Sequence, residues 1–552
     1  MRKIETLREL YDYATVAYAG NRLSKTVDAE LEYSYRSFRD KCEELSGVLA
    51  DAGVVAGDKV AVLAQNMPNW TVAFFTGVAF GRIAIPILPE SSENEVTNIL
   101  KHSESKALFV SQKLLSNVSD EAMDGLDVVI DIESFEFIKT PTRAVKKAGA
   151  DSLGAAGHGC DLTKASSRPD DIATIIYTSG TTGNAKGVML SHRNLASCVM
   201  SCYATRKRDE HDRWLSILPM SHTLELTIGV LYPMYVGASV YYMSKPPVPA
   251  LLLKAMQTVR PTTMLSVPLI IEKIYRDSIL PTIRKSPVLS WMDRNANWLL
   301  CRLVGLKLKK TFGGELTFFG IGGAKLDIEV ERFLLKSGFP YAVGYGLTET
   351  SPLLSFTLGK IRVPGSIGMP VSGVQLRLDN VNPETGEGEI VAKGPNVMLG
   401  YYKDPQRTAR AFTKDGWFRT NDLAVVDAQG RYSIRGRLSN MILGASGENI
   451  YPEEIEQVLN GIDLVDESLV LSRGDKLVAL VTFNENVLDW NHEGEAEFLR
   501  KVEECKSLIL SIVNRKVNRT SHLSCIQVLR EPFEKTATRK IRRFKYADVE
   551  GL

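Results

Sequence analysis

Residues 177–187 read Tyr-Thr-Ser-Gly-Thr-Thr-Gly-Asn-Ala-Lys-Gly, which puts Thr178, Ser179, Gly180, Thr181, Thr182, Gly183 and Lys186 in one short run. Small residues free backbone N–H groups, four of the side chains carry hydroxyls, and Lys186 adds an ammonium, which together suit a loop that wraps phosphate. A Walker P-loop has its lysine directly after the last glycine and passes straight into a helix. Here Asn184 and Ala185 separate Gly183 from Lys186, and the apolar runs 171–176 and 187–190 on either side read as strands. The spacing predicts strand, loop, strand. On these residues alone the loop is either a phosphate clamp or a flexible hairpin turn.

Four further strings carry groups of the same kind. They are Gly-Ile-Gly-Gly-Ala-Lys-Leu (320–326), Gly-Tyr-Gly-Leu-Thr-Glu-Thr (344–350), Gly-Trp-Phe-Arg-Thr-Asn-Asp-Leu-Ala (416–424) and Thr-Ala-Thr-Arg-Lys-Ile-Arg-Arg (536–543). Taken singly, the first two pass for tight turns at strand ends and the last for an exposed basic tail.

Elements must hold these strings in place. Amphipathic helices (37–53, 70–81) alternate with short apolar strands (59–65, 83–88) through the first 430 or so residues, which predicts a layered α/β architecture with largely parallel sheets. The stretch 139–170 is rich in Lys, Gly, Ala and Ser and reads as a surface connection. Near Arg437 the texture changes: a strand leads through a glycine loop to a helix with Pro452 in its first turn. Strands at 467–472, 476–483 and 525–531 and a helix over 493–517 then complete a small α+β domain of about 110 residues. The expected division is 1–437 and 438–552, with Arg437-Leu438-Ser439-Asn440 as the hinge.

The chain's 552 residues exceed what one core accommodates. With 67 basic and 65 acidic residues it has no overall charge to recruit nucleic acid, so no such partner is expected. Seven cysteines without metal-type spacing read as reduced thiols, and the N-terminus lacks the apolar core of a signal peptide; both suit a cytoplasmic protein. The uncharged stretch 226–243 is nearly long enough to span a bilayer, but Gly229, Pro233 and Gly237 interrupt it. It reads as a buried helix followed by a buried strand.

In order along nearly the whole chain, these strings resemble the signature motifs of the AMP-forming acyl-adenylating superfamily, which includes acyl-CoA synthetases, firefly luciferase and peptide-synthetase adenylation domains. The resemblance implies a large N-terminal domain of α/β subdomains and a small mobile C-terminal domain. It also implies a two-step reaction: a carboxylate attacks the α-phosphate of Mg·ATP, and a thiol, usually that of coenzyme A, then displaces AMP. The 178–186 loop would hold the β- and γ-phosphates through Lys186, with Thr178 and Glu349 as Mg2+ ligands. Gly322, Gly323 and Ala324 would let backbone lie against adenine and the acyl carbonyl, and Tyr345 would stack on the base between Gly344 and Gly346. Leu347 would line the nucleotide site and Thr348 would bond the α-phosphate. Asp422 would accept from the ribose hydroxyls, with Arg437 adding a contact. Lys540 would bridge carboxylate and α-phosphate, His222 would stand beside the carboxylate, and Gly447 would let the pantetheine arm pass. Three positions depart from the family pattern: Asn421 replaces a glycine, Arg539 replaces a glycine before the lysine, and Ser439 occupies a hinge position commonly Asp or Lys. Asn tolerates left-handed backbone, so the turn at Asn421 is expected to survive.

For the acid, the apolar run 218–243 around His222 shows no clear acidic partner for a substrate ammonium, which favours an aliphatic acyl chain over an amino acid. The ordering of the stretches 218–225, 245–275 and 446–456 is most similar to bacterial long-chain fatty-acid–CoA ligases. Transfer to an acyl-carrier protein, or a nucleotide-binding protein without catalysis, are the competing readings. Residues 281–312 hold seven basic side chains and one acid, Asp293, among Trp291, Trp298 and several leucines. They read either as a solvated helical pair or as a peripheral contact with the inner membrane face, through which fatty acid could enter.

Overall fold

The structure is a computed structural model that describes residues 2–140, 167–178, 185–245, 247–357, 359, 362–443, 449–474, 476–484, 495–536 and 540–549. Most of the expected 139–170 connection lies outside the described residues. By packing, the chain divides into two units, one of Met1–Thr178, Ala185–Leu376 and Ala392–Phe418, the other including Arg377–Val391 and Arg419–Leu552.

The first unit is built on two sheets. In the eight-stranded sheet the order is Gly400–Tyr401, Lys186–Ser191, Ile172–Thr178, Ile83–Ile87, Lys59–Leu63, Ser105–Val110, Val128–Asp131 and Phe137–Lys139. Its centre is parallel and its edges are antiparallel. The inner strands are apolar on both faces, as in Ala107, Leu108, Phe109 and Val110, because helices cover both sides. Helix Pro68–Val78 is buried at every position, so it has no polar face to show. Helix Tyr35–Asp51 starts where the Ser34 hydroxyl accepts from the Ser37 N–H, and it turns Phe38, Cys42, Leu45 and Leu49 inward.

The nine-stranded sheet contains Tyr341–Gly346, Phe318–Ile321, Thr263–Ser266, Arg213–Ser216 and Ser239–Tyr242 as successive parallel neighbours. The uncharged stretch forms a π-helix, Glu225–Leu231, then an α-helix, Tyr232–Val236, and then the strand Ser239–Tyr242. Gly237, with φ 79°, ends the helix in a left-handed turn. Among the described residues no helix is long and apolar enough to cross a membrane.

The second unit carries most of a four-stranded sheet, Gln375–Asp379, Gly388–Lys393, Phe418–Val426 and Tyr432–Arg437, and a three-stranded sheet, Val465–Arg473, Lys476–Phe483 and Cys525–Val528. Helices Pro452–Leu459 and Glu495–Lys516 close a core of Ile455, Leu459, Val470, Val481, Ile509, Val513 and Ile526. Residues 377–391 and 419–437 pack with this unit: Tyr451 donates to Glu387 at 2.7 Å, and its ring lies 2.7 Å from where a Cβ on Gly436 would stand. Packing therefore divides the chain ahead of Arg437.

Candidate active site

The loop strands behave as their spacing requires. Ile172–Thr178 pairs antiparallel with Lys186–Ser191, which sets Thr178 directly opposite Lys186. Helix His192–Thr205 begins only after the second strand, Lys186–Ser191, so the segment after the loop is a strand and not a helix N-terminus. Residues Ser179, Gly180, Thr181, Thr182 and Gly183 of the loop itself lie outside the described residues.

Lys186 reaches across to the turn that follows strand Tyr341–Gly346. Its Nζ lies 2.6 Å from Glu349 Oε1 and 3.0 Å from Tyr401 Oη, and that hydroxyl donates to the same carboxylate oxygen at 2.9 Å. Glu349 is 5% exposed. Burial pushes its carboxyl up, but the Lys186 charge and hydrogen bonds outweigh that and hold it below the usual carboxylate range. Tyr401 sits on a two-residue edge strand paired with the far side of the loop hairpin, Gly400 opposite Met189 and Tyr401 opposite Val188. Nothing in the sequence marked Tyr401, because a strand of two residues has no periodicity to read.

The 344–350 turn depends on glycine. A Cβ on Gly346 would collide with the carbonyl oxygen of Pro352, whose oxygen also accepts from Leu347 N at 3.1 Å and Thr350 Oγ1 at 2.6 Å. The fold turns Thr348 and Glu349 out of the sheet at that point, in the 3-10 turn Thr348–Thr350. Tyr345 is buried on the strand, opposite Ser355.

Three of the candidate strings meet beside this turn. Gly322 donates its N–H to Ser266 O at 3.1 Å, and a Cβ there would stand 3.4 Å from Leu224 and 3.6 Å from the Gly344 carbonyl. Gly323, before Ala324, has φ 86°, a conformation that side chains avoid. His222 is half-buried two residues before Leu224; its N–H donates to Pro219 O at 2.9 Å and its Nδ1 accepts from Leu224 N at 3.3 Å.

The run expected to be without an acidic partner contains one acid. Glu225, an acid within the run 218–243, is buried at 1% exposure, and the π-helix folds its carboxylate over Gly229, where a Cβ would strike it. Burial pushes its carboxyl up to about 8, opposed by a hydrogen bond from Ser216. Ser216 in turn accepts from Asn66 Nδ2 at 3.1 Å, and Glu225 Oε2 makes no hydrogen bond. The wall thus holds an acid, but a mainly neutral one at pH 7, offering a substrate ammonium no preformed charge. A lone charge in an apolar run was the signal available.

Thr178 Oγ1 is buried and makes no hydrogen bond, an orphan hydroxyl beside the Lys186–Glu349 pair. Among the described residues no three His, Cys, Asp or Glu side chains converge on a point. A magnesium ion at Glu349 would therefore need phosphate oxygens to complete its shell, the usual arrangement for this ion. The residues fit.

Residues 15–402 match the family described as "AMP-binding enzyme". The chain belongs to that family.

Curated relatives of this AMP-binding enzyme include long chain acyl-CoA synthetase 7, peroxisomal, of Arabidopsis thaliana, 28% identical over 88% of this chain and 75% of the relative. Another is the long-chain-fatty-acid–CoA ligase FadD15 of Mycobacterium bovis, 29% identical over 79% of this chain and 74% of the relative. Among solved structures, o-succinylbenzoate coenzyme A synthetase of Bacillus subtilis in complex with ATP and magnesium superposes with TM-score 0.77 at 20% identity, covering 98% of this chain and 99% of that one. At that identity the likeness shows the fold, which is acyl-CoA synthetase-like.

The remaining candidates of this AMP-binding enzyme stand on the second unit. Antiparallel pairing sets Asp422 opposite Arg437, and Arg437 Nε lies 2.9 Å from Asp422 Oδ1. Asp422 is buried and Arg437 half-exposed. Asn421 takes the place of the family glycine with φ 61°, so the turn keeps its left-handed residue. Lys540 is exposed next to the antiparallel bridge between Lys535 and Ile541; its N–H donates to Thr536 Oγ1 at 3.2 Å and its carbonyl accepts from Thr536 N at 2.8 Å. Gly447 lies outside the described residues.

Proposed function

We propose that the protein is an ATP-dependent acyl-CoA ligase that activates medium- or long-chain fatty acids. A fatty carboxylate attacks the α-phosphate of ATP, pyrophosphate leaves, and the thiol of coenzyme A displaces AMP from the acyl-adenylate. The observation that carries this reading is the Lys186–Glu349–Tyr401 cluster with the orphan Thr178 hydroxyl opposite Lys186. Burying an ion pair is a poor way to stabilise a fold, so a pair kept at a phosphate loop points to work on charge. In this reading Lys186 holds the departing pyrophosphate. Glu349 and Thr178 hold magnesium, which supplies charge neutralisation on the phosphates. Thr348 bonds the α-phosphate, Tyr345, Gly346, Leu347 and Gly322–Ala324 receive the base, and Asp422 and Arg437 take the ribose. Lys540 acts at the phosphorus under attack and His222 beside the carboxylate. The small C-terminal part swings at 437–440 between the two half-reactions, after which Gly447 borders the pantetheine arm.

The acyl class rests on the apolar run, in which Leu226, Val230, Leu231 and Met234 are buried and the Glu225 carboxyl is mainly neutral, and on the likeness to the long-chain acyl-CoA ligases among the curated relatives. The test is carboxylate-dependent pyrophosphate release across acyl chain lengths, with and without coenzyme A. Release that peaks with a medium or long chain, and yields acyl-CoA, is expected. No release with any acid would leave a non-catalytic nucleotide binder. Adenylate that accumulates despite coenzyme A would point to an acyl-carrier protein as the thiol donor.

A further inference from the structure

The helices between Leu280 and Thr311 present an outer surface that the proposed chemistry does not use. Helix Asn297–Thr311 is apolar on two sides. Leu300, Cys301, Gly305 and Leu308 face inward, and at Gly305 a Cβ would collide with the Ser337 carbonyl, so the helix lies tight on its neighbour Ile328–Ser337. Leu299, Leu303 and Leu306 follow at helical spacing on the outer side, with Leu306 68% exposed. The preceding helix, Pro287–Asn295, adds Val288 and Trp291 three residues apart, and Trp298 follows at 70% exposure. A helix anchored on one apolar side that keeps a second apolar stripe exposed has no covering element among the described residues.

The charges on the same surface decide what the partner is. Within residues 281–312 stand Arg284, Lys285, Arg294, Arg302, Lys307, Lys309 and Lys310 against one acid, Asp293, although the chain as a whole carries a net charge of only +2. An open groove of about 370 Å³ is lined by Arg284, Lys285, Pro287, Ser290, Trp291, Arg294 and Asn295. Cations beside an indole at the rim of an apolar face match the layering of a lipid leaflet: phosphate outside, glycerol level, then hydrocarbon. A second copy of this chain would bring seven like charges against seven.

We infer that this surface docks on an anionic lipid bilayer, with Trp291, Trp298, Leu303 and Leu306 entering the headgroup boundary and a lipid phosphate seated in the Arg284–Lys285–Arg294 groove. The inference is independent of which acid the enzyme activates. Flotation of the full chain with phosphatidylcholine vesicles containing phosphatidylglycerol, compared with phosphatidylcholine alone, tests it. Binding is expected on the anionic vesicles, falling as salt rises. The variant Arg284→Glu/Lys285→Glu/Arg294→Glu should bind roughly 100-fold more weakly or worse. The variant Trp291→Ser/Trp298→Ser should also lose binding with its melting temperature near the native value, which shows that it is folded. Bromine-labelled lipids should quench tryptophan emission in the native chain and not in that variant. No flotation of the active native chain on anionic vesicles overturns the proposal, as does equal flotation of the charge-reversed variant. A dimer in solution that both variants convert to monomer would assign the surface to a second copy instead.

Discussion

Lys186 and Glu349 stabilise one another in a site that would penalise either charge alone, and Tyr401 satisfies both. If Lys186 holds the leaving pyrophosphate, Lys186→Ala should slow adenylation by about 10²–10³ and raise the KM for ATP. Thioester formation from supplied acyl-adenylate should stay near its native rate, and equal losses in both half-reactions would contradict the assignment. Glu225 makes a separate prediction. Its carboxyl ionises at about 8 in the folded chain, against an ordinary value of 4.5. Below pH 4.5 it is protonated in both states; between there and pH 8 the unfolded chain releases a proton that the folded chain keeps, so stability falls as pH rises through that window. Glu225→Gln removes this titration, so its denaturation midpoint should gain on the native protein's as pH rises. Parallel pH curves for the two proteins would mean that the carboxyl is solvated.

At the scale of elements, the turn that delivers Asp422 depends on one backbone conformation. Asn421 sits at φ 61°, and its carbonyl accepts from Leu438 N at 2.9 Å, so it is tied to the chain just after Arg437. Asn421→Gly should leave melting temperature and ATP KM almost unchanged. Asn421→Val forces a β-branched residue into the left-handed region at about 1–3 kcal/mol and should raise the ATP KM by disturbing Asp422. A valine variant with native melting temperature and KM would show that the turn relaxes without cost. This turn was legible beforehand because residue chemistry alone sets its conformation. The strand–loop–strand around Lys186 was legible for a similar reason, since lysine spacing and flanking apolar runs are local signals. The π-helix at Glu225–Leu231 was not: its register depends on fitting a carboxylate over Gly229, a packing event without sequence periodicity.

For the whole molecule, the candidate residues fall on two packed units: Lys186, His222, Tyr345, Thr348 and Glu349 on the first, Asp422, Arg437 and Lys540 on the second. A reaction that uses both in its first half and only part of the second in its other half should separate under mutation. Lys540→Ala is expected to cut adenylation by about 10²–10³ with ATP KM little changed, while supplied acyl-adenylate is converted to thioester at near-native rate. A matching loss in thioester formation would remove Lys540 from the adenylating role. The order of motifs, the alternation of helix and strand and the glycine positions were determined by the sequence itself, because each depends on neighbours within a few residues. The pairing of Lys186 with Glu349, the hydroxyl of Tyr401 between them, the burial of Glu225 and the outward leucine row of 299–306 were decided only in the tertiary structure. Those features join residues far apart in the chain, or depend on what covers a given face, and local pattern carries no information about either.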